Sequence, residues 1–160
     1  MIFHRNRAEY SDGTIDLIPV HIGKPDKELQ FGREQVWSIV LHNCTEEIGQ
    51  ISYRNGDSRC VYYFGHIGYH IDPPWRGNHF AARACELIRN EILAGGKTTA
   101  VITCDPDNIP SIRTCERLGG LYEGTVDVPE DIRKRFDISN SKRRYIWNVD
   151  PYGENYADKY

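Results

Sequence analysis

The first half of the chain alternates apolar and polar residues with a period of two, which predicts β-strands. Pro19 lies within the first of these stretches, and proline is tolerated where a strand forms the edge of a sheet. The connection over residues 21–33 carries glycine and proline and is predicted to be a loop. The predicted strands are residues 14–20, Glu34–His42, Ile48–Arg54 and the long, aromatic-rich Cys60–Ile71.

After residue 79 the apolar period changes to that of a helix. The first helix is predicted to end at Gly95 and Gly96, since glycine commonly follows the last turn. A short β-branched run, Thr98–Cys104, suits a buried strand. A second helix is predicted to begin at Asn108, a good N-cap, and to end at Gly119. The apolar positions that define the first helix are Phe80, Ala81, Ala84, Leu87, Ile88 and Ile92.

The last third is predicted to add two strands, Leu121–Val128 and Tyr145–Val149, separated by a charged loop over Pro129–Arg144. The resulting order is β, β-β, β-α-β-α-β-β. Antiparallel hairpins come first and a parallel β-α-β crossover lies in the middle, so an α/β fold with a mixed sheet and helices on its faces is expected. Residues 1–150 are predicted to form one domain, and residues 151–160 a polar tail.

Composition narrows the class of protein. The chain has 160 residues with 20 Lys and Arg against 23 Asp and Glu, a formal charge of −3. This balance argues against a nucleic-acid partner. No apolar run exceeds five residues, so no membrane span or membrane partner is expected. Five cysteines without a Cys-x-x-Cys pair, and no visible secretion signal, predict free thiols in a reducing cytoplasm.

The loop between the fourth strand and the first long helix suits an anionic ligand. Two prolines end the strand, and Arg76 and Gly77 precede the helix. The first amides of a helix have no intrahelical partner and lie at the positive end of its dipole. Such a site suits a phosphate or diphosphate, although the usual phosphate-binding fingerprints are absent.

Two motifs carry a resemblance to the GNAT superfamily of N-acetyltransferases. Arg76–Ala81 resembles the acetyl-CoA-binding pattern Arg/Gln-x-x-Gly-x-Gly/Ala, with His79 where glycine is usual. Asn108–Gly120 resembles the second family motif, Asn-x-x-Ser followed by a helix that closes in Leu-Gly. The resemblance covers residues 34–128 and is closest to the branch that acetylates the N-termini of ribosomal proteins.

The resemblance implies a sheet that splays open after the fourth strand and binds acetyl-CoA there as a co-substrate, with no metal. Backbone groups of that strand would bind pantetheine, and amides of the following loop the diphosphate. His79 is expected to have an αR-compatible backbone, because non-glycine residues disfavour αL. The cofactor-binding residues implied are Tyr69, His70, Ile71, Arg76, Gly77, Asn78, His79, Phe80, Ala81, Ala82, Asn108 and Ser111.

The reaction implied is acetyl transfer from acetyl-CoA to a primary amine of a small molecule or peptide, by direct attack in a ternary complex. Ser111 occupies the position of the serine that protonates the departing thiolate in the ribosomal branch, and Cys115 and Tyr122 are alternative donors. A non-catalytic CoA-binding regulatory module is the alternative function, and an enzyme with Cys115 as its nucleophile is a third.

The remaining catalytic groups stay open at this stage. His66 and His70 would share one face of a regular strand, and either can take a proton near neutral pH. Glu123 and Glu130 are carboxylate alternatives for the base, and an ordered water relay is another. A backbone N–H near His70 or Ile71 is expected to stabilise the oxyanion.

The acceptor side departs from the family pattern. Family members place two helices between their first and second strands, whereas His21–Arg33 is too short to form two. The acceptor site is therefore expected to be open, or to be completed by a second copy in a homodimer.

Overall fold

The structure is a computed structural model that describes residues 7–24, 27 and 32–151. The predicted loop over 21–33 and the predicted tail lie partly outside these residues. The strands are β1 (Tyr10–Ser11), β2 (Ile15–Ile22), β3 (Glu34–Leu41), β4 (Glu47–Arg54), β5 (Ile67–Ile71), β6 (Thr99–Cys104), β7 (Leu121–Asp127) and β8 (Ser141–Asn148). The α-helices are α1 (Arg59–Phe64), α2 (Phe80–Leu87), α3 (Arg89–Ala94), α4 (Ile109–Arg117) and α5 (Glu130–Phe136).

The strands form two sheets. β1 to β5 pair in sequence order, and the second sheet has the order β6-β8-β7. Every described strand pair is antiparallel. The crossover from β5 to β6 passes through α2 and α3, as the sequence predicted, but the two strands lie in separate sheets. The α/β fold with helices flanking a sheet that splays after the family's fourth strand, here β5, is thus confirmed.

Two early details refine the prediction. The short strand β1 was not predicted, and it pairs with β2 only at Asp16 and Leu17. Pro19 lies beyond that pairing, bonded to β3 on one side only, which is where a strand tolerates a residue without an N–H. The predicted strands at Glu34–His42 and Ile48–Arg54 are confirmed as β3 and β4.

The prediction of a single strand over Cys60–Ile71 was wrong. Its first part is the helix α1, which Ser58 caps by accepting a hydrogen bond from Val61 N at 3.2 Å. Gly65 ends the helix with φ 78°, a left-handed angle that favours glycine. A β-carbon at Gly65 would lie 2.9 Å from the carbonyl oxygen of Val101. Only Ile67–Ile71 remains as a strand.

The prediction of a charged loop over Pro129–Arg144 was also wrong. Glu130–Phe136 is the helix α5, with acidic residues in its first turn and basic residues in its last turn, a pattern that complements the helix dipole. β8 then begins at Ser141, so its first residues are charged. The single helix predicted between Phe80 and Gly95 is instead two helices, α2 and α3, which meet at Ile88.

The two sides of the sheets differ in character. We call the side that packs against α2 and α4 the core face, and the opposite side the polar face. Ile51, Tyr69 and Tyr145 lie on the core face, and their neighbours along the strands lie on the polar face. The polar face carries Ser38, Gln50, His70, Thr103 and Arg144. α1 lies on this face of the second sheet, where Thr103 Oγ1 donates to Tyr63 O at 2.9 Å.

Candidate active site

A gap between β5 and β6 is the centre of the candidate site. The two strands meet just before β5 begins, where His66 N donates to Val101 O at 2.8 Å. Val101 N in turn donates to the ring nitrogen Nδ1 of His66 at 2.9 Å, so an imidazole takes the place of a backbone acceptor. Beyond this junction no described strand pairing joins the two sheets. The strands therefore leave an inter-sheet gap, as the resemblance implied.

The backbone of β5 presents alternate groups to this gap. Arg54 N donates to His66 O and Asp72 N donates to Ile48 O, so even-numbered residues here bond to β4. The alternation turns the backbone groups of Tyr69 and Ile71 toward the gap. Of the two oxyanion donors expected from the sequence, His70 or Ile71, the register favours the Ile71 N–H.

The loop that leads into α2 has free amide donors. No described residue accepts a hydrogen bond from the backbone N–H groups of residues 77–82. Gly77 has φ 85°, and the Asn78 side chain donates to Trp75 O at 3.0 Å, which fixes the turn. Arg76 is exposed and its Nε donates to Ile71 O at 2.8 Å. Six adjacent amides without a described acceptor form a ready anion site.

His79 departs from the expected backbone conformation. It is the N-cap of α2 and has φ 61° and ψ 22°, which is αL rather than the expected αR region. The expectation of an αR-compatible residue was therefore wrong. Histidine is one of the non-glycine residues that αL tolerates best, and this explains how it can replace the glycine of the family pattern.

A cavity of about 360 Å³ opens beside this loop. Asn78, His79 and Arg83 line it from the start of α2, and Arg117 lines it from the last turn of α4. Arg83 Nη1 is paired with Asp12 Oδ2 at 2.8 Å. Asp12 and Glu86 also line the cavity, so its two guanidinium groups lie beside two carboxylates. The free amides of the loop are the groups that suit an anionic ligand.

Ser111 lies on the core side of the gap. Asn108 caps α4 by accepting a hydrogen bond from Ser111 N at 3.2 Å, which orients the first turn. Ser111 is buried, and its hydroxyl is 2.8 Å from the phenol oxygen of Tyr69 on β5. This bond connects β5 to the first turn of α4. Burial raises the pKa of Tyr69, so its phenol stays protonated and can donate to Ser111.

Two buried cysteines complete this cluster, and they differ in acidity. The neighbouring Cys115 lowers the pKa of Cys104, with Ser111, Arg143 and Lys142 also close by. The neighbouring Cys104 and burial raise the pKa of Cys115. Cys115 is therefore poorly suited to act as the nucleophile of the third hypothesis.

The two candidate histidines have different surroundings. His66 is buried, its Nδ1 accepts from Val101 N, and its Nε2 is 2.9 Å from Gly56 O. Burial lowers its pKa, and both ring nitrogens are engaged, which favours a structural role. His70 projects on the polar face with 59% of its side chain exposed, and its Nε2 is 3.7 Å from Asp72 Oδ1. His70 is therefore the more accessible of the two candidate histidines.

The other candidates are bound elsewhere. Glu123 accepts from Arg144 Nε at 2.7 Å and so balances a buried cation. Glu130 pairs with Lys134 within α5 and is largely exposed. Tyr122 lies on the edge strand β7, where its hydroxyl is 2.7 Å from Thr125 Oγ1. None of these side chains has a described contact with the Ser111 cluster.

Sequence reasoning missed two members of the cluster. Tyr69 was expected to contribute only its backbone, yet its phenol contacts Ser111. Cys104 was not proposed for the site, although it ends the strand that precedes the Asn-x-x-Ser motif. That position is the signal that could have found it, because a strand end beside the gap is where ligands meet an open sheet.

Comparison with known proteins agrees with this architecture. The profile of the acetyltransferase (GNAT) domain matches residues 19–120. This is more than half of the chain, and the chain therefore belongs to the GNAT acetyltransferase family. No curated protein matches the sequence.

Among the described residues, no cluster of side chains suits a metal ion, and no helix is long and apolar enough to cross a membrane.

Solved structures share the fold at low identity. The microcin C7 self-immunity acetyltransferase MccE, in complex with acetyl-CoA and AMP, is 23% identical with a TM-score of 0.55, over 72% of this chain and 61% of that chain. The ribosomal-protein-S5-alanine acetyltransferase of Vibrio fischeri is 21% identical with a TM-score of 0.57, over 76% and 64%. RimL, a ribosomal L7/L12 α-N-protein acetyltransferase bound to CoA through a cysteine disulfide, is 20% identical with a TM-score of 0.55, over 73% and 63%. The chain thus spans less than two thirds of each of these chains.

Proposed function

We propose that the protein transfers an acetyl group from acetyl-CoA to a primary amine of a small molecule or peptide, by direct attack in a ternary complex. The observation that carries this proposal is the inter-sheet gap, with free amides of residues 77–82 at one end and the Tyr69–Ser111 hydrogen bond on its wall. Family membership supports it, as does the acetyl-CoA present in the MccE structure.

Acetyl-CoA fits the described groups along its length. The amides at the start of α2 would hold the diphosphate, helped by the positive end of the helix dipole. Arg83 and Arg117 would add positive charge from the adjoining cavity. The backbone groups of Tyr69 that face the gap would bind pantetheine as a neighbouring strand would, with the Asn108 side chain close to the same end of β6.

Ser111 is the proposed proton donor to the CoA thiolate that leaves. Its hydroxyl lies on the gap, and Tyr69 can donate to it as it gives up its proton, so the two form a short relay. A buried, protonated phenol behind the serine makes the transfer easier, because the developing negative charge on oxygen is stabilised at once.

The amine would approach from the polar face. His70 lies on that face, opposite to Tyr69 and Ser111, so a base and an acid flank the gap from its two sides. The Ile71 N–H, which faces the gap, is the proposed oxyanion donor. In this arrangement the amine loses its proton on one side of the thioester while the thiolate gains one on the other.

A peptide α-amine is the acceptor that we propose among primary amines. α2 is the described helix that packs most closely on the five-stranded sheet, and it lies on the core face. Gln50 and His70 therefore form a polar surface on the other side, next to Ser38, which is buried and donates to Glu47. Such a surface can accept an extended chain. The names of the V. fischeri enzyme and of RimL, which acetylate ribosomal proteins, support the same class of acceptor.

The cellular compartment and the oligomeric state are further parts of the proposal. All five cysteines are free, which supports a reducing compartment such as the cytoplasm. A second copy of the chain, in a homodimer, would complete the polar face.

The test is acetylation of a panel of short peptides and small amines, measured by mass spectrometry and by release of CoA thiol. We expect Ser111→Ala to lower kcat about a hundredfold with little change in the KM for acetyl-CoA, because a positioned proton donor contributes mainly in the transition state. Thr114→Ala is the matched control, since it removes a hydroxyl from the same helix outside the cluster.

Other outcomes would contradict the proposal. If acetyl-CoA binds but no amine in the panel releases CoA thiol, the chain is a non-catalytic CoA-binding module. If Ser111→Ala and Thr114→Ala have the same kcat as the unaltered protein, the thiolate is protonated by another group.

A further inference from the structure

The two carboxylate oxygens of Asp12, in the turn between β1 and β2, have separate roles. Oδ1 accepts hydrogen bonds from Thr14 N at 2.8 Å and from Ile15 N at 2.9 Å, which fixes the turn. Oδ2 accepts from Arg83 Nη1 on α2 at 2.8 Å. Partial burial acts to raise the pKa of Asp12, but these hydrogen bonds together lower it, so the carboxylate is charged at neutral pH. A negative charge from β2's turn is therefore held against α2.

The cavity beside residues 77–82 contains charges of both signs, and they are balanced to different degrees. Glu86 Oε2 accepts from Arg89 Nε at 3.0 Å and from Arg89 Nη2 at 2.7 Å, so its charge is compensated by a residue that does not line the cavity. Arg83 is compensated by Asp12. Arg117 has no ion-pair partner among the described residues. An anion that enters the cavity can pair freely with Arg117, but it must compete with Asp12 for Arg83.

The direction of the proposed CoA site leads its nucleoside into this cavity. With the diphosphate on the amides of residues 77–82, the pantetheine arm runs toward β5, so the adenosine arm leaves the diphosphate in the other direction. The cavity begins at Asn78 and His79 and continues past Arg83 to Glu86, which are neighbouring positions on one face of α2. The ribose of CoA carries a phosphate on its 3′-oxygen, and this second anion would enter the same space.

We propose that Asp12 determines donor specificity, because its carboxylate competes with the 3′-phosphate of CoA for Arg83. This inference rests on the proposed function. Carboxylate and phosphate are both acceptors that suit a guanidinium group, and two like charges on one guanidinium repel each other. The protein therefore favours CoA over CoA without the 3′-phosphate less strongly than its two cavity arginines alone would allow. Removal of the Asp12 charge should increase that preference.

The experiment measures the Kd of the full chain for CoA and for 3′-dephospho-CoA by isothermal titration calorimetry. Asp12→Asn keeps Oδ1 as the acceptor for the turn and removes the charge from the cavity. We expect this variant to bind CoA about fivefold more tightly than the parent and 3′-dephospho-CoA within about twofold of the parent. Asp127→Asn is the matched control: it removes an exposed carboxylate at the end of β7, outside the cavity, and both Kd values should stay as in the parent.

Two further variants make the result independent of one substitution. Asp12→Ser removes the same charge, and its hydroxyl can still accept a hydrogen bond within the turn, so it should behave like Asp12→Asn. Arg83→Met removes the contested guanidinium and should reduce the preference for CoA over 3′-dephospho-CoA by about fivefold.

The outcomes separate this inference from the proposed function. An unchanged preference in the Asp12 variants, weaker binding of both ligands by them, or a parent-like preference in Arg83→Met would overturn the role of Asp12. If the parent binds CoA while these results are found, only this inference fails. If the parent binds neither ligand, the proposed function fails with it.

Discussion

At the scale of single residues, His79 combines an unusual backbone conformation with a place in the proposed anion site. Its αL conformation turns the chain so that α2 begins with its amides free. An L-residue in this conformation is strained by contact between its β-carbon and the backbone, and histidine bears that strain better than alanine. Substitutions at this position can therefore separate the effect of the αL backbone on stability from the effect of the imidazole side chain.

We expect His79→Gly to be at least as stable as the parent, and His79→Ala to be less stable than His79→Gly by about 1 kcal/mol. Both variants lack the imidazole, so the difference between them reports the αL backbone alone. Urea denaturation followed by circular dichroism measures both. Equal stabilities would show that the turn relaxes out of αL without cost.

Residue patterns predicted the anion loop and Ser111, but not the full cluster around them. Gly77, Asn108 and Ser111 belong to short local motifs, whose geometry follows from turns and caps. Tyr69 and Cys104 join Ser111 only because β5 and β6 diverge on either side of it. Such contacts arise from tertiary packing, which a local pattern does not encode.

At the scale of elements, α1 is held on the polar face by a buried arginine of β8. Arg144 donates to the carbonyl oxygen of Tyr62, lies 3.7 Å from the centre of the Tyr62 ring, and pairs with Glu123. Arg59 on α1 also pairs with Asp131 on α5, but both side chains are more than half exposed. Buried pairs that lose one partner cost far more than exposed pairs.

Arg144→Met should therefore lower the free energy of unfolding by about 1 to 3 kcal/mol, since the Tyr62 carbonyl loses its hydrogen-bond donor and the half-exposed Glu123 loses its partner. Arg59→Met, the control on the exposed pair, should change it little. Chemical denaturation compares the two variants. A loss for Arg144→Met no larger than that for Arg59→Met would show that apolar packing alone holds α1.

Sequence patterns misassigned two segments, each for its own local reason. Over Cys60–Ile71, aromatic and branched residues favour a strand on propensity, yet the Ser58 cap and Gly65 define a short helix first. Over Pro129–Arg144, high charge indicated a loop, while the charges instead lie on an exposed helix and at the start of β8. Long segments with one clear period, such as β3, β4 and α4, were predicted correctly.

At the scale of the whole molecule, the two sheets meet at His66, and this junction should respond to pH. The neutral imidazole accepts from Val101 N, and Asp57 and Lys97 face it from neighbouring segments. Burial lowers the pKa of His66 below its ordinary value of 6.5. The unfolded chain therefore binds a proton at a higher pH than the folded one.

It follows that stability from His66 is complete above pH 6.5 and is lost as the pH falls through the lowered pKa, by up to about 1.4 kcal/mol per pH unit. Urea denaturation of the parent and of His66→Gln, from about pH 5 to about pH 8, measures how the free energy of unfolding depends on pH. The variant should show a weaker dependence, because glutamine does not titrate. Identical slopes for the two proteins would contradict the assignment.

The narrowness of the junction has a mechanical consequence. Two consecutive residues join the sheets: His66 through its hydrogen bonds, and Gly65 through its approach to the Val101 carbonyl. Because β5 and β6 diverge from this junction, a small displacement of β6 there produces a larger displacement at the far end of the strand. The spacing of β5 and β6 along the gap should therefore depend on the residue at position 65, because a β-carbon there would meet the Val101 carbonyl.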